Sequence, residues 1–219
     1  RIMPYESGGR AGKLGNNYEL NWIVLKLIDI VSEKIEAIKV EAIGEEEEGV
    51  DVWVRYFNGN TEAQQCKGGR NASKDYWTLS DLNSRGILKS WKFHLSRDLI
   101  TTVSLVSPLP FTNFSDLIYR AKTNDNAQSF IDYQVNTSSE IKSLFDNYIN
   151  YLGFSKENDI LKIINFLSRT MIRQEPSPEN EEYIRDKVSQ YFIGDTVSIK
   201  SKFIDLISRG EIFGRWFTL

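Results

Sequence analysis

The stretches Gly49-Val50-Asp51-Val52-Trp53-Val54 and Gln65-Cys66-Lys67 decide how this chain folds. Valines alternate with other residues in the first stretch, which predicts a strand over residues 50–57. The second stretch ends another strand, predicted over residues 61–67. Between them, Asn58-Gly59-Asn60 is a hairpin signal, because Gly and Asn tolerate the positive φ angles of tight turns. The two strands are therefore predicted to pair antiparallel.

Three polar side chains of this hairpin are predicted to share one face of the sheet. Gln65 and Lys67 are two residues apart, so both project from the same side, about 7 Å apart along the strand. A three-residue loop at Asn58-Gly59-Asn60 places Asp51 opposite Lys67 and Trp53 opposite Gln65, and opposed residues share a face. A two-residue loop moves Asp51 to the other side. Convergence of Asp51 with Lys67 therefore requires an odd loop or a compensating bulge.

The segments around the hairpin predict an α/β fold. A helix over residues 16–34 carries apolar residues on more than one face, which indicates burial between other elements. Alternation predicts a strand over residues 37–43. After the hairpin come a helix over residues 78–97, in which Gly86 is a mild weakness, and a buried strand over residues 99–106. This order predicts a mixed four- to five-stranded sheet flanked by helices, with a right-handed crossover into the last strand.

The composition changes after Ser107-Pro108-Leu109-Pro110. Downstream, apolar residues recur at three- and four-residue spacing, which predicts helices over residues 139–152, 156–169, 178–192 and 198–208. We therefore divide the chain into an α/β core over residues 1–109 and a mainly helical region over residues 110–219. The helical region carries no chemical signal of its own, and we expect it to be an extension or linker domain that leads toward further sequence.

Composition excludes several classes of protein and of active site. The chain has 219 residues, of which 41% are hydrophobic and 26% charged, so it is neither disordered nor of low complexity. A single cysteine, Cys66, and a single histidine, His94, exclude a disulfide framework, cysteine-rich zinc sites and histidine-based metal cages. No apolar stretch is long enough to span a membrane and no signal peptide begins the chain, so we expect a cytoplasmic protein without membrane contact. Any catalysis must use carboxylates, amides and lysines.

The formal net charge of −3 conceals a local basic segment. Residues 67–97 contain seven bases and two acids, a pattern typical of a polyanion site and also of a solvated helix face. The bases expected to contact phosphate there are Arg70, Lys74, Arg85 and Lys89. The glycine-rich segment 7–14 lacks the residues of an ATP-binding phosphate loop, but its Arg10 and Lys13 add charge beside glycines that permit close approach to a phosphate backbone.

The hairpin residues suit metal-assisted phosphoryl chemistry. Mg²⁺ takes oxygen ligands, keeps several waters and needs one or two protein carboxylates. A carboxylate from Asp51, an amide or main-chain oxygen and the ammonium of Lys67 supply such a set, because a lysine beside the metal can orient or deprotonate water and contact a phosphate oxygen. Glu19, in the first turn of the opening helix, is a candidate for a further carboxylate.

These residues resemble a known superfamily of nucleases. Glu19 on a helix, Asp51 in a strand and Gln65-Cys66-Lys67 in the next strand are similar to the restriction-endonuclease-like PD-(D/E)xK core. Gly8-Gly9-Arg10-Ala11-Gly12 followed by Tyr18-Glu19 resembles, more narrowly, the N-terminal double-stranded DNA endonuclease domain of bacterial anti-phage effectors, which is fused to nucleotide-sensing SAVED modules or to STAND NTPases. The resemblance covers about residues 5–107.

The resemblance implies a role for each site residue. Asp51 and Glu19 would bind Mg²⁺, or Mn²⁺ in its place, together with the main-chain carbonyl of Cys66. Lys67 would be the catalytic lysine, and Gln65 stands where the family more often has Glu, which removes one negative charge from the metal site. The implied activity is hydrolysis of double-stranded DNA with low sequence specificity. The implied partners are DNA, further copies of the chain in a homo-oligomer, and a C-terminal sensor or NTPase domain.

Two alternatives remain open at the level of sequence. The first is a non-catalytic DNA-binding module on the same fold, with Gln65 marking loss of activity. The second is an oligomerisation or interaction domain, in which the helical region docks a partner. Cys66 and His94 are both interpreted as packing residues, since a reactive thiolate needs an accessible, electropositive setting and a lone histidine has no second ligand beside it.

Overall fold

The computed structural model describes residues 17–40, 49–69, 72–124, 126–209 and 214–218. In chain order the elements are α1 (Asn17–Val31), β1 (Ala37–Val40), β2 (Val52–Arg55), β3 (Thr61–Cys66), α2 (Leu79–Ser84), α3 (Ile87–Arg97), β4 (Thr101–Ser107), α4 (Thr112–Lys122), α5 (Ala127–Phe130) with a π-helical turn (Ile131–Val135), α6 (Ser139–Leu152), α7 (Ile160–Ser168), β5 (Thr170–Gln174), a 3₁₀ turn (Ser177–Glu179), α8 (Glu181–Tyr191) and α9 (Thr196–Ser208).

One five-stranded sheet in the order β1-β2-β3-β4-β5 organises the described residues. Strands β1, β2 and β3 form an antiparallel meander, whereas β4 and β5 are parallel to β3. The chain passes from β3 to β4 through α2 and α3, since parallel neighbours need a long crossover. The predicted fold class, a mixed sheet flanked by helices and followed by a mainly helical region, is confirmed.

Two apolar layers cover the two faces of the sheet. Because side chains alternate along a strand, Trp53 and Ala63 face one layer, while Val52 and Val54 face the other. The first layer contains α2, α3 and most of α4 to α7, and the second contains α1, α8 and α9. Helix α1 packs against β1 and β3 on one side and against α8 and α9 on the other. This double contact explains why its apolar residues occupy more than one face.

The sheet does not stop at the boundary drawn from composition. Strand β5 lies within the region expected to be helical, and it pairs in parallel register with β4, for example Leu105 with Ile172. Apolar residues before and after Pro110 also belong to one core. For example, the ring of Trp91 stacks on the ring of Phe114. The division at residue 109 stays a prediction about domains, but the described sheet and core draw on both halves.

One helix predicted from the sequence is divided in two at Gly86. The predicted single helix over residues 78–97 is wrong, because Gly86 adopts a φ of 72° and separates α2 from α3. Thr78 begins α2 with a capping box, in which its hydroxyl accepts the N–H of Asp81 and the Asp81 carboxylate accepts the N–H of Thr78.

Among the described helices, none is both long enough and apolar enough to traverse a bilayer.

Candidate functional site

The hairpin that carries the predicted site closes one residue earlier than expected. Tyr56 N–H donates to the Asn60 carbonyl and Gly59 N–H to the Tyr56 carbonyl, so the three-residue loop is Phe57-Asn58-Gly59. Gly59 has a φ of 83°, which is why glycine occupies the last loop position. The loop length is odd, as convergence requires, but the predicted register is wrong.

A β-bulge at the start of β2 turns Asp51 out of the regular ladder. Trp53 pairs with Ala63 rather than with Gln65, and Val52 pairs with Gln64. The N–H of Asp51 also donates to the Gln64 carbonyl at 3.0 Å, so two residues of one strand face one residue of the other. The placement of Asp51 directly opposite Lys67 in the ladder is therefore wrong.

The Asp51 carboxylate nevertheless contacts Lys67, just beyond the C-terminal end of the central strand β3. Its Oδ2 atom accepts the main-chain N–H of Cys66 at 2.8 Å and lies 3.4 Å from Lys67 Nζ. Lys67 is anchored in turn by its own N–H, which donates to the Val106 carbonyl at 2.9 Å. The ion pair is largely buried, with 12% of the Asp51 side chain and 23% of the Lys67 side chain exposed. The bulge and the length of the lysine side chain together bring these two groups into contact.

A buried side-chain oxygen near this pair accepts no hydrogen bond among the described residues. It is Oε1 of Gln65, a residue that is only 8% exposed and that precedes Lys67 by two positions. The main-chain carbonyl of Cys66, the residue between them, points toward β2 because the N–H of the same residue does. An unpaired buried oxygen is costly, and a cation would satisfy it.

Glu19 approaches the same end of β3 from α1. It lies in the first turn of that helix and is 5% exposed. Burial raises the pKa of the Cys66 thiol well above its usual range, and the charges of Asp51 and then Glu19 raise it further. Both charges therefore act on the Cys66 thiol from different elements, Glu19 from α1 and Asp51 from the chain that enters β2.

This donor set is suited to a hard divalent cation rather than to a soft one. The described residues contain no group of three or more His, Cys, Asp and Glu side chains that could hold a metal ion. What they offer is carboxylate oxygen from Asp51, carboxamide oxygen from Gln65 on the α3 side of the sheet, carbonyl oxygen from Cys66, and the carboxylate of Glu19, which comes from α1 on the other side. Mg²⁺ and Mn²⁺ accept such mixed oxygen ligands and complete their shells with water and substrate phosphate.

Native Cys66 should resist thiol reagents. Its side chain is fully buried and its pKa is raised by burial, so little thiolate is accessible at neutral pH. We expect Ellman's reagent to titrate no thiol in the folded protein and one thiol per chain in guanidinium chloride; the sequence contains a single cysteine, so the signal has one source. Stoichiometric reaction of the folded protein within minutes would contradict this burial.

The residues predicted to contact phosphate are only partly described. Arg10, Lys13 and Arg70 lie outside the described residues. Lys74, Arg85 and Lys89 are exposed; Lys74 donates to the Tyr76 hydroxyl, and Arg85 lies over the ring of Trp77. Their roles stay predictions. Trp77 and Trp91 of the basic segment are buried core residues, and His94, whose ring meets Trp53 edge-on, is buried as well.

A segment of the C-terminal half lies against the site and had no signal in the sequence. Tyr18 donates its hydroxyl to the Glu175 carbonyl, and Asn21 donates to the Pro178 carbonyl, each at 2.8 Å. Gly69 N–H, two residues after Lys67, points to the Glu179 carboxylate at 3.4 Å. These bonds span more than a hundred residues, so local periodicity could not reveal them. They attach the chain after β5 to both α1 and the loop that follows the site.

Comparisons with known proteins give a likeness of fold. No protein-family model matches the sequence, and no curated protein matches it. The structure is similar to that of a Cap4 SAVED/CARF-domain containing receptor from Moraxella osloensis, with a TM-score of 0.51 and 16% sequence identity. The match covers 91% of this chain and 44% of the receptor chain, so this chain spans less than half of the receptor's length.

Proposed function

We propose that this chain is a metal-dependent nuclease domain that hydrolyses phosphodiester bonds in double-stranded DNA. The observation that carries the proposal is the buried Asp51–Lys67 pair, 3.4 Å apart, together with the unpaired buried oxygen of Gln65, two residues before Lys67. An acid, neutral oxygen ligands and a lysine at the C-terminal end of β3 form a site for a cation and a phosphate together.

Each residue has a defined task in the proposed reaction. Asp51, Gln65 and the Cys66 carbonyl would hold Mg²⁺ or Mn²⁺, with Glu19 as a further carboxylate. When bound, such an ion neutralises charge that develops on phosphorus and lowers the pKa of its water. The Lys67 ammonium orients the attacking water or contacts a phosphate oxygen, while its contact with Asp51 fixes its direction. The Cys66 N–H keeps the Asp51 carboxylate oriented through its hydrogen bond.

The biological setting proposed is anti-phage defence. The sequence resembles the endonuclease domain of effectors that carry SAVED modules, and the structural neighbour is a receptor that contains a SAVED/CARF domain. The two likenesses come from different kinds of comparison, one from motif residues and one from backbone geometry. They support an effector whose nuclease domain is joined to a sensor. Action as a homo-oligomer with little sequence preference is proposed from the sequence resemblance alone.

Metal removal tests the proposal directly. Purified protein is incubated with supercoiled and linear DNA in Mg²⁺, in Mn²⁺ and in EDTA, and Mn²⁺ binding is measured by calorimetry in parallel. We expect cleavage with either ion and none in EDTA, and Asp51→Asn, which keeps an acceptor for the Cys66 N–H, should weaken Mn²⁺ binding at least about tenfold. The exposed pair member Asp205→Asn is the matched control. Salt-dependent DNA binding with neither Mn²⁺ binding nor cleavage would favour a non-catalytic DNA-binding module instead.

A further inference from the structure

The turn that leads into the Asp51 bulge lies unusually close to helix α3. Gly49 has a φ of 69°, a conformation that side-chain-bearing residues adopt rarely. A Cβ atom at this position would lie 2.6 Å from Ser90 Oγ and 2.8 Å from Ser90 Cβ. Both distances are far below van der Waals contact. The main chain at residue 49 therefore rests directly on the side chain of a buried residue of α3.

The same contact lies beside the carboxamide of Gln65. A Cβ atom on Gly49 would also lie 3.6 Å from Gln65 Nε2, and the Oε1 atom of that carboxamide is the one without a partner among the described residues. Asp51 follows two residues after Gly49, separated from it by the buried Val50. The position of the Gly49 main chain thus bounds the space of the Gln65 amide and sets the start of the bulge that orients Asp51.

We propose that Gly49 and Ser90 form a positioning pair for the oxygen ligands Asp51 and Gln65, an inference that rests on the proposed metal-dependent function. Ser90 cannot yield easily, because its neighbours Leu88 and Trp91 on α3 are buried in the core. A side chain at residue 49 therefore displaces the turn rather than the helix. Displacement of the turn changes where Asp51 lies relative to the Gln65 amide, and loss of ligand positioning typically lowers metal affinity about 10- to 100-fold.

Gly49→Ala tests the pair, with metal affinity as the measured quantity. Mn²⁺ binding to the whole chain is measured by calorimetry, and unfolding in urea is measured on the same samples. We expect Gly49→Ala to weaken Mn²⁺ binding about tenfold or more. The double variant Gly49→Ala/Ser90→Gly should recover most of that affinity, since it removes both clashing atoms. A merely structural role would lower stability without this rescue of affinity.

A second glycine provides the matched control. Gly59 has a similar positive φ of 83°, but a Cβ there would meet nothing within 4 Å. Gly59→Ala should therefore lose about 1 kcal/mol of stability to the unfavourable positive φ, without a steric clash, and should bind Mn²⁺ as the wild type does. If Gly49→Ala fails to fold, Ser90→Val enlarges the same contact from the helix side and is measured in its place.

The outcomes separate this inference from the proposed function. Wild-type Mn²⁺ affinity in Gly49→Ala, equal losses in Gly59→Ala, or no recovery in the double variant would each overturn the positioning pair while leaving the metal site in place. Absence of Mn²⁺ binding by the wild-type chain would overturn the metal site itself, and the positioning pair with it. Weakened binding in Gly49→Ala, recovery in the double variant and a normal Gly59→Ala together support the inference.

Discussion

Lys67→Met should reduce DNA cleavage by about a thousandfold, which is the range lost when a positioned proton-transfer or charge-stabilising group is removed. The lysine ammonium lies 3.4 Å from Asp51 Oδ2 and is mostly screened from solvent, so water cannot replace its charge well. Methionine keeps most of the length and the apolar contacts of the side chain and removes the ammonium group. Cleavage is measured on plasmid DNA with Mg²⁺, and binding is measured separately by fluorescence anisotropy.

DNA binding by Lys67→Met should change little, by about threefold or less, since one phosphate contact among several contributes a small part of the affinity. The matched control is Lys34→Met, which removes another lysine paired with an aspartate, at 3.7 Å, but with 59% of its side chain exposed and far from β3 in the sequence. That variant should cleave as the wild type does. Cleavage by Lys67→Met within a few-fold of the wild type would contradict the assignment of this lysine to the reaction.

From the sequence alone, contact between Asp51 and Lys67 could be predicted only under a stated condition. Strand parity showed that the two residues share a side if the loop is odd or if a bulge compensates, and these conditions are alternatives. The structure has an odd loop and also a bulge, so the contact of Asp51 with Lys67 at 3.4 Å does not follow from parity alone. The register was wrong because the turn chemistry allows glycine at either the second or the third loop position. The structure uses the third, where the Asn58 side chain accepts the N–H of Asn60.

The turn before the bulge makes a contact that no local pattern contains. Its Gly49 lies against Ser90, forty-one residues later in the chain, on a helix whose position is fixed by the core. Strand β5 was missed for a related reason. Its sequence, Thr-Met-Ile-Arg-Gln, has no clear alternation, and its place in the sheet comes from pairing with β4. Long-range packing, rather than propensity, decides both features.

The helices with regular apolar spacing were predicted better, since their signal is local. Helix α6 runs over Ser139–Leu152, the limits given by its spacing and by its capping residues Ser138 and Gly153. The break at Gly86 shows the limit of this approach. A glycine inside a helical pattern costs only about 1 kcal/mol, so the pattern alone does not reveal whether the chain continues or turns.

A buried ion pair joins β3 to β5 across β4 and should dominate the response of stability to mutation. Glu62 is fully buried, and Arg173 donates to both of its carboxylate oxygens at 2.7 Å, while the Tyr56 hydroxyl donates to one of them. Burial alone would raise the pKa of Glu62, but the hydrogen bonds and charge of Arg173, with the hydrogen bond from Tyr56, bring that pKa below its usual value. The carboxylate is therefore held ionised inside the sheet.

Arg173→Met should lower the free energy of unfolding by about 3–5 kcal/mol near neutral pH, because it leaves a buried carboxylate without its counter-ion. That loss is a large share of the total of about 5–15 kcal/mol for an ordinary domain. Urea unfolding followed by circular dichroism measures it. Arg209→Met is the matched control: its pair with Asp205 is mostly exposed, so its loss should change stability by less than about 1 kcal/mol.

The pH dependence of that loss gives the sharper test. In the wild type the folded-state pKa of Glu62 is lowered, so its stabilising contribution is complete above the ordinary carboxyl pKa of about 4.3 and is lost as the pH falls through the folded-state value. Without Arg173, burial raises that pKa instead, and protonation relieves the isolated charge at mildly acidic pH. The difference in unfolding free energy between wild type and Arg173→Met should therefore shrink as the pH falls from about 7 to about 5.

Adding Glu62→Gln to Arg173→Met should recover stability at neutral pH and remove most of this pH dependence. A deficit that stays constant across this pH range, in the single and the double variant alike, would mean that lost packing rather than the buried charge explains the effect of Arg173→Met.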